Sequence, residues 1–174
     1  FEFAIDSAKK TKKILKIATS SMEEIKHLSY FQNAVNPKVD ASISFVGHLS
    51  KSERFDFLSK ALALLFPIQW EEPFGMVMVE SMACGTPVVA YNRGSVSEIL
   101  RDGITGFIID PDNEDRPGKG TWIIKKQGIE GLVEAIQRIG EIDRANCRKH
   151  VEENFSVSKM VDGYEKVYSQ ILNE

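Results

Sequence analysis

The sequence predicts an α/β domain: a parallel sheet with helices on both faces, followed by a C-terminal helix. Two observations predict it. Short apolar runs alternate with stretches of helical periodicity along the 174 residues. The runs are also apolar throughout instead of alternating in and out, as strands of a parallel sheet covered on both faces are.

Taken in order, Phe1, Ile5 and Ala8 recur at helical spacing, so the first residues read as the interior of a helix. With no initiator Met, this start reads as a cut from a longer protein. Ile14–Ala18 is a short strand, residues 23–32 a helix, and Ile43–Val46 a strand that Gly47 stops. Ser50 and Glu53 have capping-box spacing and open a helix that runs to about Ala61. Leu62–Phe66 is a continuous apolar run that Pro67 breaks. A loop then leads through Pro73 into a helix over Gly75–Ala83, with Gly85 just past its end. Pro87–Ala90 is a strand, Ser95–Leu100 a short helix with a second capping box (Ser95, Glu98), and Gly106–Ile109 the last strand. Residues 111–128 are rich in Asp, Pro, Gly and Lys and read as an exposed insertion, interrupted by Trp122, Ile123 and Ile124. Helices follow over about 129–142, 143–154 and 157–172.

Composition bounds the function. Apolar residues make up 43% and charged residues 27%, the balance of one ordinary globular domain over residues 1–174. Twenty-two Lys+Arg against 25 Asp+Glu give a net charge of −3, which argues against duplex nucleic acid as a partner. Lys9, Lys10, Lys12 and Lys13 lack interleaved aromatics and read as a solvated helix end. Cys84 and Cys147 belong to no CxxC, which excludes a disulfide framework and a cysteine-rich zinc site and fits the cytoplasm. Cys84 reads as a small core residue, and His27 and His150 as surface helix residues. No two histidines have metal-ligand spacing with each other or with cysteine, and no GxGxxG follows a strand, so neither a metal nor a dinucleotide cofactor is expected. The longest apolar run, Ala61–Ile68, is far short of the roughly 20 residues that span a bilayer.

In parallel sheets ligands bind at the carboxyl ends of the strands. Three loops therefore matter: Gly47-His48-Leu49, residues 68–75 and residues 91–95. In the second, Pro73 suits a helix start, and the free amides of Phe74, Gly75 and Met76 with the helix dipole suit a phosphate or an electron-rich oxygen. Glu72 precedes this helix. Glu80 lies inside it, roughly 7.5 Å along the axis from Gly75. Acids so separated cannot share a proton or clamp one small ion. They can accept hydroxyls at opposite ends of an extended ligand, the layout of a diphosphate flanked by two sugars. Taken as an isolated pair, they read more readily as a surface loop acid and a solvated helix residue. Trp70 and Trp122 either cap a ligand or cover core.

Residues 72–90, Glu-Pro-Phe-Gly-Met-Val-Met-Val-Glu-Ser-Met-Ala-Cys-Gly-Thr-Pro-Val-Val-Ala, are similar to the Glu-x7-Glu motif and its flanks in retaining GT-B glycosyltransferases. That family includes sucrose and glycogen synthases. Phe45-Val46-Gly47, Gly94-x3-Glu98, Gly103-x2-Gly106 and Phe155-Ser156 fall in the family's order. The resemblance covers nearly the whole chain and implies a Rossmann-like, donor-binding half of the GT-B fold. It implies that Glu72 contacts the donor sugar and is the residue nearest the chemistry, and that Glu80 holds the nucleotide ribose. The amides of Phe74, Gly75 and Met76 would face sugar and diphosphate, Val79 would pack on the ribose, and Gly47, His48 and Leu49 would line the base. The donor would be a UDP- or GDP-hexose, transferred without metal to an acceptor hydroxyl with retained configuration.

The family usually carries a Gly-Arg and a Lys-Gly pair just before the helix with which this chain begins. Neither lies there in this sequence, and the N-terminal acceptor domain is expected to be missing with them. The resemblance therefore implies a fragment inactive by itself, with any membrane association peripheral and through the missing half. A rival reading is a non-catalytic nucleotide-sugar-binding or interaction module.

Overall fold

The computed structural model describes residues 1–19, 22–112 and 114–173; Ser20, Ser21, Asn113 (inside the expected insertion) and Glu174 lie outside the described residues. The main core is built on three parallel strands, β3 (Leu64–Phe66), β4 (Val88–Tyr91) and β5 (Gly106–Ile109), in that spatial order. Val88 lies opposite both Leu64 and Gly106, which places β4 in the centre. Every residue of β4 and β5 is buried, which explains why these runs are apolar throughout. Helices α4 (Met76–Ala83), α6 (Gly128–Arg138) and α7 (Arg144–Asn154) supply Met78, Met82, Leu132, Ala135 and Cys147 to this core.

A second parallel ladder pairs β1 (Leu15–Ala18) with β2 (Ile43–Gly47), Leu15 opposite Ile43. It carries its own cluster of Ile5, Ile17, Phe31, Val35 and Ile43, with Ile5 supplied by α1 (Glu2–Lys10). The single sheet expected from the sequence is thus two ladders. Ile17 is buried between exposed Lys16 and Ala18, so this ladder has one covered face only. Apolar run length does not reveal which strands share an edge.

Two other elements depart from expectation. The helix expected over 23–32 is broken: α2 (Met22–Ile25) stops at Ile25, and α-helical backbone returns only at Ser29 and Tyr30. A π-helical turn, Phe31–Val35, and a 3-10 turn, Asn36–Lys38, follow. Burial of Phe31 and Val35 in the second cluster and the missing N–H of Pro37 account for the change. The insertion over 111–128 is strapped down, not simply exposed. Asp110 accepts the Gly120 N–H at 2.8 Å and the Trp122 indole N–H at 3.0 Å, while Asp102 accepts the Ile123 N–H at 2.6 Å. Ile124 is buried and Trp122 packs on the main core, so Trp122 covers core. These anchors lie outside the segment and leave no mark on its own composition.

The first capping box forms at α3 (Lys51–Ser59): the Glu53 N–H donates to Ser50 Oγ and the Ser50 N–H to Glu53 Oε2. The second does not form. Ser95, ahead of α5 (Val96–Ile99), makes no side-chain cap and turns its hydroxyl to the Phe74 carbonyl at 2.7 Å. At the C-terminus, α8 (Val157–Leu172) is capped by Ser156, and all of its residues are exposed.

At Gly106 the backbone of β5 passes so close to β4 that a Cβ would fall on the Val88 carbonyl. Gly106→Ala is expected to destabilise the domain by about 3 kcal/mol, a fall of roughly 10 °C in the unfolding midpoint. An unchanged midpoint in calorimetry would show that the β4–β5 ladder yields freely.

Candidate functional site

The site grows from the loop between β3 and α4. Gly75 is the N-cap of α4 with φ 81°, a left-handed conformation that glycine adopts without strain. The first bond of the helix runs from the Met78 N–H to the Gly75 carbonyl, 2.9 Å. The amides of Gly75 and Met76 lie ahead of it, among the donors a helix leaves open at its start, and the Phe74 amide precedes the cap. Among the described residues no cluster of His, Cys, Asp and Glu is arranged to hold a metal ion.

Glu72 is fixed from two directions. Its backbone carbonyl accepts the Ser95 N–H at 2.9 Å, and its carboxylate accepts the Trp70 indole N–H at 3.0 Å. Trp70 therefore bears on the acid itself, which its composition class did not reveal. Gly94, with φ 53°, lies directly against the Glu72 backbone, and a Cβ there would strike Glu72. The loops after β3 and β4 are thus locked together by Gly94 and Ser95. Phe74 meets Phe155 edge-on at 6.2 Å, and Phe155 meets His150 at 5.4 Å. His150, expected at the surface, is half-buried with Nε2 2.9 Å from the Ile99 carbonyl.

Glu80, one turn further into α4, is bound to the guanidinium of Arg54 on α3 at 3.0 Å. Val79 beside it belongs to the main core. Cys84 is half-buried, not in the core, with Sγ 3.7 Å from the Phe55 carbonyl; burial pushes its thiol up from the ordinary value. Gly47 ends β2 with φ 70°, His48 is exposed and Leu49 half-buried. The structure thus gathers Glu72, Phe74, Gly75, Met76 and Glu80 on one loop–helix unit. The 47–49 loop leads into α3, and so reaches that unit through Arg54.

A charged ring braces the loops. Glu71 accepts the Gly94 N–H at 2.7 Å and pairs with Arg93 at 3.4 Å and with Arg116; Glu114 bridges the same two arginines. Arg93 and Arg116 keep only 11% and 15% of their side-chain exposure, so the ring ties the 111–128 strap to the Glu72 loop. The Gly94 amide, then Arg116 and Arg93, hold the Glu71 carboxyl below the usual carboxylate range. A cleft of about 150 Å³ lined by Glu71, Asn92, Gly94, Ser97, Arg116 and Pro117 opens beside it. Sequence reasoning missed Arg54, Glu71, Arg93 and Arg116. Except for Glu114, two residues from Arg116, their partners lie 21 to 45 residues away, or 26 for Arg54 and Glu80, beyond any local spacing rule. Lys9 and Lys10 of the basic cluster pair with Asp40 and Glu130.

An α/β domain with a helix start between two acids, at the carboxyl ends of parallel strands, has the layout in which doubly wound folds place their ligands. The comparisons name the family. The description "glycosyl transferases group 1" matches residues 28–121, and the chain belongs to that family. Alpha-maltose-1-phosphate synthase of Mycobacterium tuberculosis is 31% identical over 115 residues, 64% of this chain and 29% of the relative. Sucrose-phosphate synthase from Thermosynechococcus elongatus superposes with a TM-score of 0.74 at 22% identity, over 99% of this chain and 42% of that one. Anabaena HepE, solved in complex with UDP and glucose, gives a TM-score of 0.69 at 17% identity, over 96% of this chain and 44% of that one. These likenesses bear out the GT-B fold. The chain spans about a quarter to a third of the length of the curated relatives it matches. Among the described residues no helix is long and apolar enough to cross a membrane.

Because the Glu71 carboxyl is held low, its contribution is present above the ordinary value of 4.5 and lost as pH falls through the lowered one. Hydrogen exchange at the Gly94 amide, corrected for intrinsic rate, is expected to show protection at pH 6 that fades below about pH 4.5. Glu71→Gln, which has no charge to lose, is expected to show no such acid step. Constant protection of the wild type down to pH 3 would break this link.

Proposed function

We propose that this chain is the donor-binding domain of a retaining glycosyltransferase. The parent would move a hexose from a nucleoside diphosphate to an acceptor hydroxyl, with the anomeric configuration retained. The observation that carries the reading is the α4 tip: open amides at Phe74, Gly75 and Met76, with Glu72 on one side and Glu80 on the other. That HepE was solved with UDP and glucose supports a nucleotide sugar as the ligand class.

In this reading the amides receive the diphosphate, Glu72 accepts hydroxyls of the hexose and Glu80 those of the ribose. The base lies over Gly47, His48 and Leu49. The bond from the anomeric carbon to the phosphate oxygen breaks as the acceptor oxygen bonds to that carbon. The acceptor proton passes to the departing phosphate on the same face. No side-chain nucleophile is then required, and the protein contributes positioning and charge stabilisation. No resident metal or cofactor is called for.

Arg93 and Arg116 are committed to Glu71 and Glu114, so this chain brings few free cations to a leaving diphosphate. Alone it would bind donor and transfer it poorly. The missing cations and the acceptor site would come from a second, N-terminal domain. The exposed stripe of Val157, Met160, Tyr164, Val167, Tyr168 and Ile171 on α8 suits packing against such a domain. Two unpaired cysteines, Cys84 and Cys147, fit a cytoplasmic enzyme.

Thermal shifts with UDP, GDP, ADP and their hexose conjugates test the reading through ligand linkage. Glu80→Ala is expected to weaken every nucleotide by about tenfold or more, the worth of a charged hydrogen-bond acceptor. Glu72→Ala is expected to leave the nucleotide alone and to abolish the gain from the hexose. A wild-type protein stabilised by none of these ligands would overturn the proposal.

A further inference from the structure

The geometry points to Arg54 as a positioning residue that aims Glu80 at the ribose hydroxyls and so sets the preference for ribonucleotides. This rests on the donor-site reading above. Arg54 occupies the first turn of α3, whose start is fixed by the Ser50–Glu53 capping box directly after the 47–49 loop. Its terminal nitrogen reaches Glu80 Oε1 at 3.0 Å, across the packed faces of α3 and α4. Glu80 keeps 17% of its side-chain exposure, so the acid is held in place while one edge remains open.

The form of the contact matters as much as its presence. An arginine and a carboxylate pair most strongly through two parallel bonds, which would occupy both acid oxygens. Here the ion pair brings one guanidinium nitrogen to within 3.0 Å of Oε1, and the Arg54 Nε N–H is buried without a partner. A buried donor left unpaired is uncommon and calls for an explanation. A guanidinium placed by charge attraction to Glu80, and not by a bond of its own Nε, supplies one, and the open edge of the acid is left for ligand hydroxyls. The pair also cancels a negative charge that would otherwise repel the diphosphate at the same helix. Arg54 thereby couples three parts: the loop proposed to take the base, the acid proposed to take the ribose, and the helix whose tip takes the phosphates. The bond spans 26 positions of chain and belongs to neither the Glu-x7-Glu spacing nor the capping box.

The test compares dissociation constants for UDP, GDP and ADP with those for their 2′,3′-dideoxy counterparts, by calorimetry on the whole chain. The ratio within each variant is the readout, so partial unfolding cancels. Wild type is expected to prefer the ribonucleotide by about tenfold or more, a hydrogen-bonded pair of hydroxyls against none. Arg54→Ala is expected to reduce that ratio to about threefold or less, with the uncovered Glu80 charge weakening both nucleotides of each pair alike. Arg54→Lys, which keeps the charge within reach, is expected to recover most of the ratio. An Arg54→Ala protein with the wild-type ratio would overturn the inference and leave the donor-site reading standing. A wild-type protein that binds no nucleoside diphosphate would overturn both.

Discussion

The site depends on one close approach, that of the Gly94 backbone to the backbone of Glu72. The loop after β4 lies against the loop after β3 with no room for a side chain, and three bonds close the join. The Ser95 amide donates to the Glu72 carbonyl, the Ser95 hydroxyl to the Phe74 carbonyl, and the Gly94 amide to the Glu71 carboxylate. The direction in which Glu72 leaves the backbone and the place where α4 begins are set by this lock. The sheet matters to the site because the parallel pairing of β3 with β4 delivers both loops to the same end.

Charge is distributed around the lock so that most of it is already neutralised. The ring of Glu71, Arg93, Glu114 and Arg116 stiffens the frame but presents little net field, since two acids face two bases. Arg54 stands opposite Glu80 in the same way. In the proposed reading the anion is received by the α4 tip, whose partial charge comes from backbone dipoles and is present whatever the side chains do. A site built on fixed dipoles suits binding, because no group must move or titrate to admit the ligand. It suits the departure of a doubly charged group less well, and that imbalance is what makes a second source of cations necessary to the proposed reaction.

The sequence revealed those parts of the fold whose physics is local. Gly75 and Gly85 bracket α4 because helix starts and stops are written in adjacent residues, and the Ser50–Glu53 box forms as its spacing requires. The Ser95–Glu98 box has the same letters and does not form. The Phe74 carbonyl, a partner 21 positions upstream, takes the Ser95 hydroxyl instead. The anchoring of the 111–128 strap was hidden for a related reason: Asp102 and Asp110 lie outside it, and Gly and Pro content speaks only of local backbone freedom. Burial of β4 and β5 was legible from apolar runs, whereas the split into two ladders was not, because pairing is a property of two segments and a run belongs to one.

The two acids are supported unequally, and the difference bears on how such a site can change. Glu80 is bound to a charged partner on a neighbouring helix and is flanked by Val79 in the main core, so its position is coupled to packing. Glu72 sits on a loop and takes its side-chain support from the indole of Trp70, a residue 60% exposed and free of the core. A substitution at Trp70 alters the reach of Glu72 without disturbing the sheet, whereas one near Glu80 disturbs both α3 and α4. In the proposed reading, the sugar end of the donor can therefore be retuned by surface changes, while the nucleotide end is held by the fold. That asymmetry accounts for how one scaffold could keep its grip on a nucleotide while the sugar it carries varies.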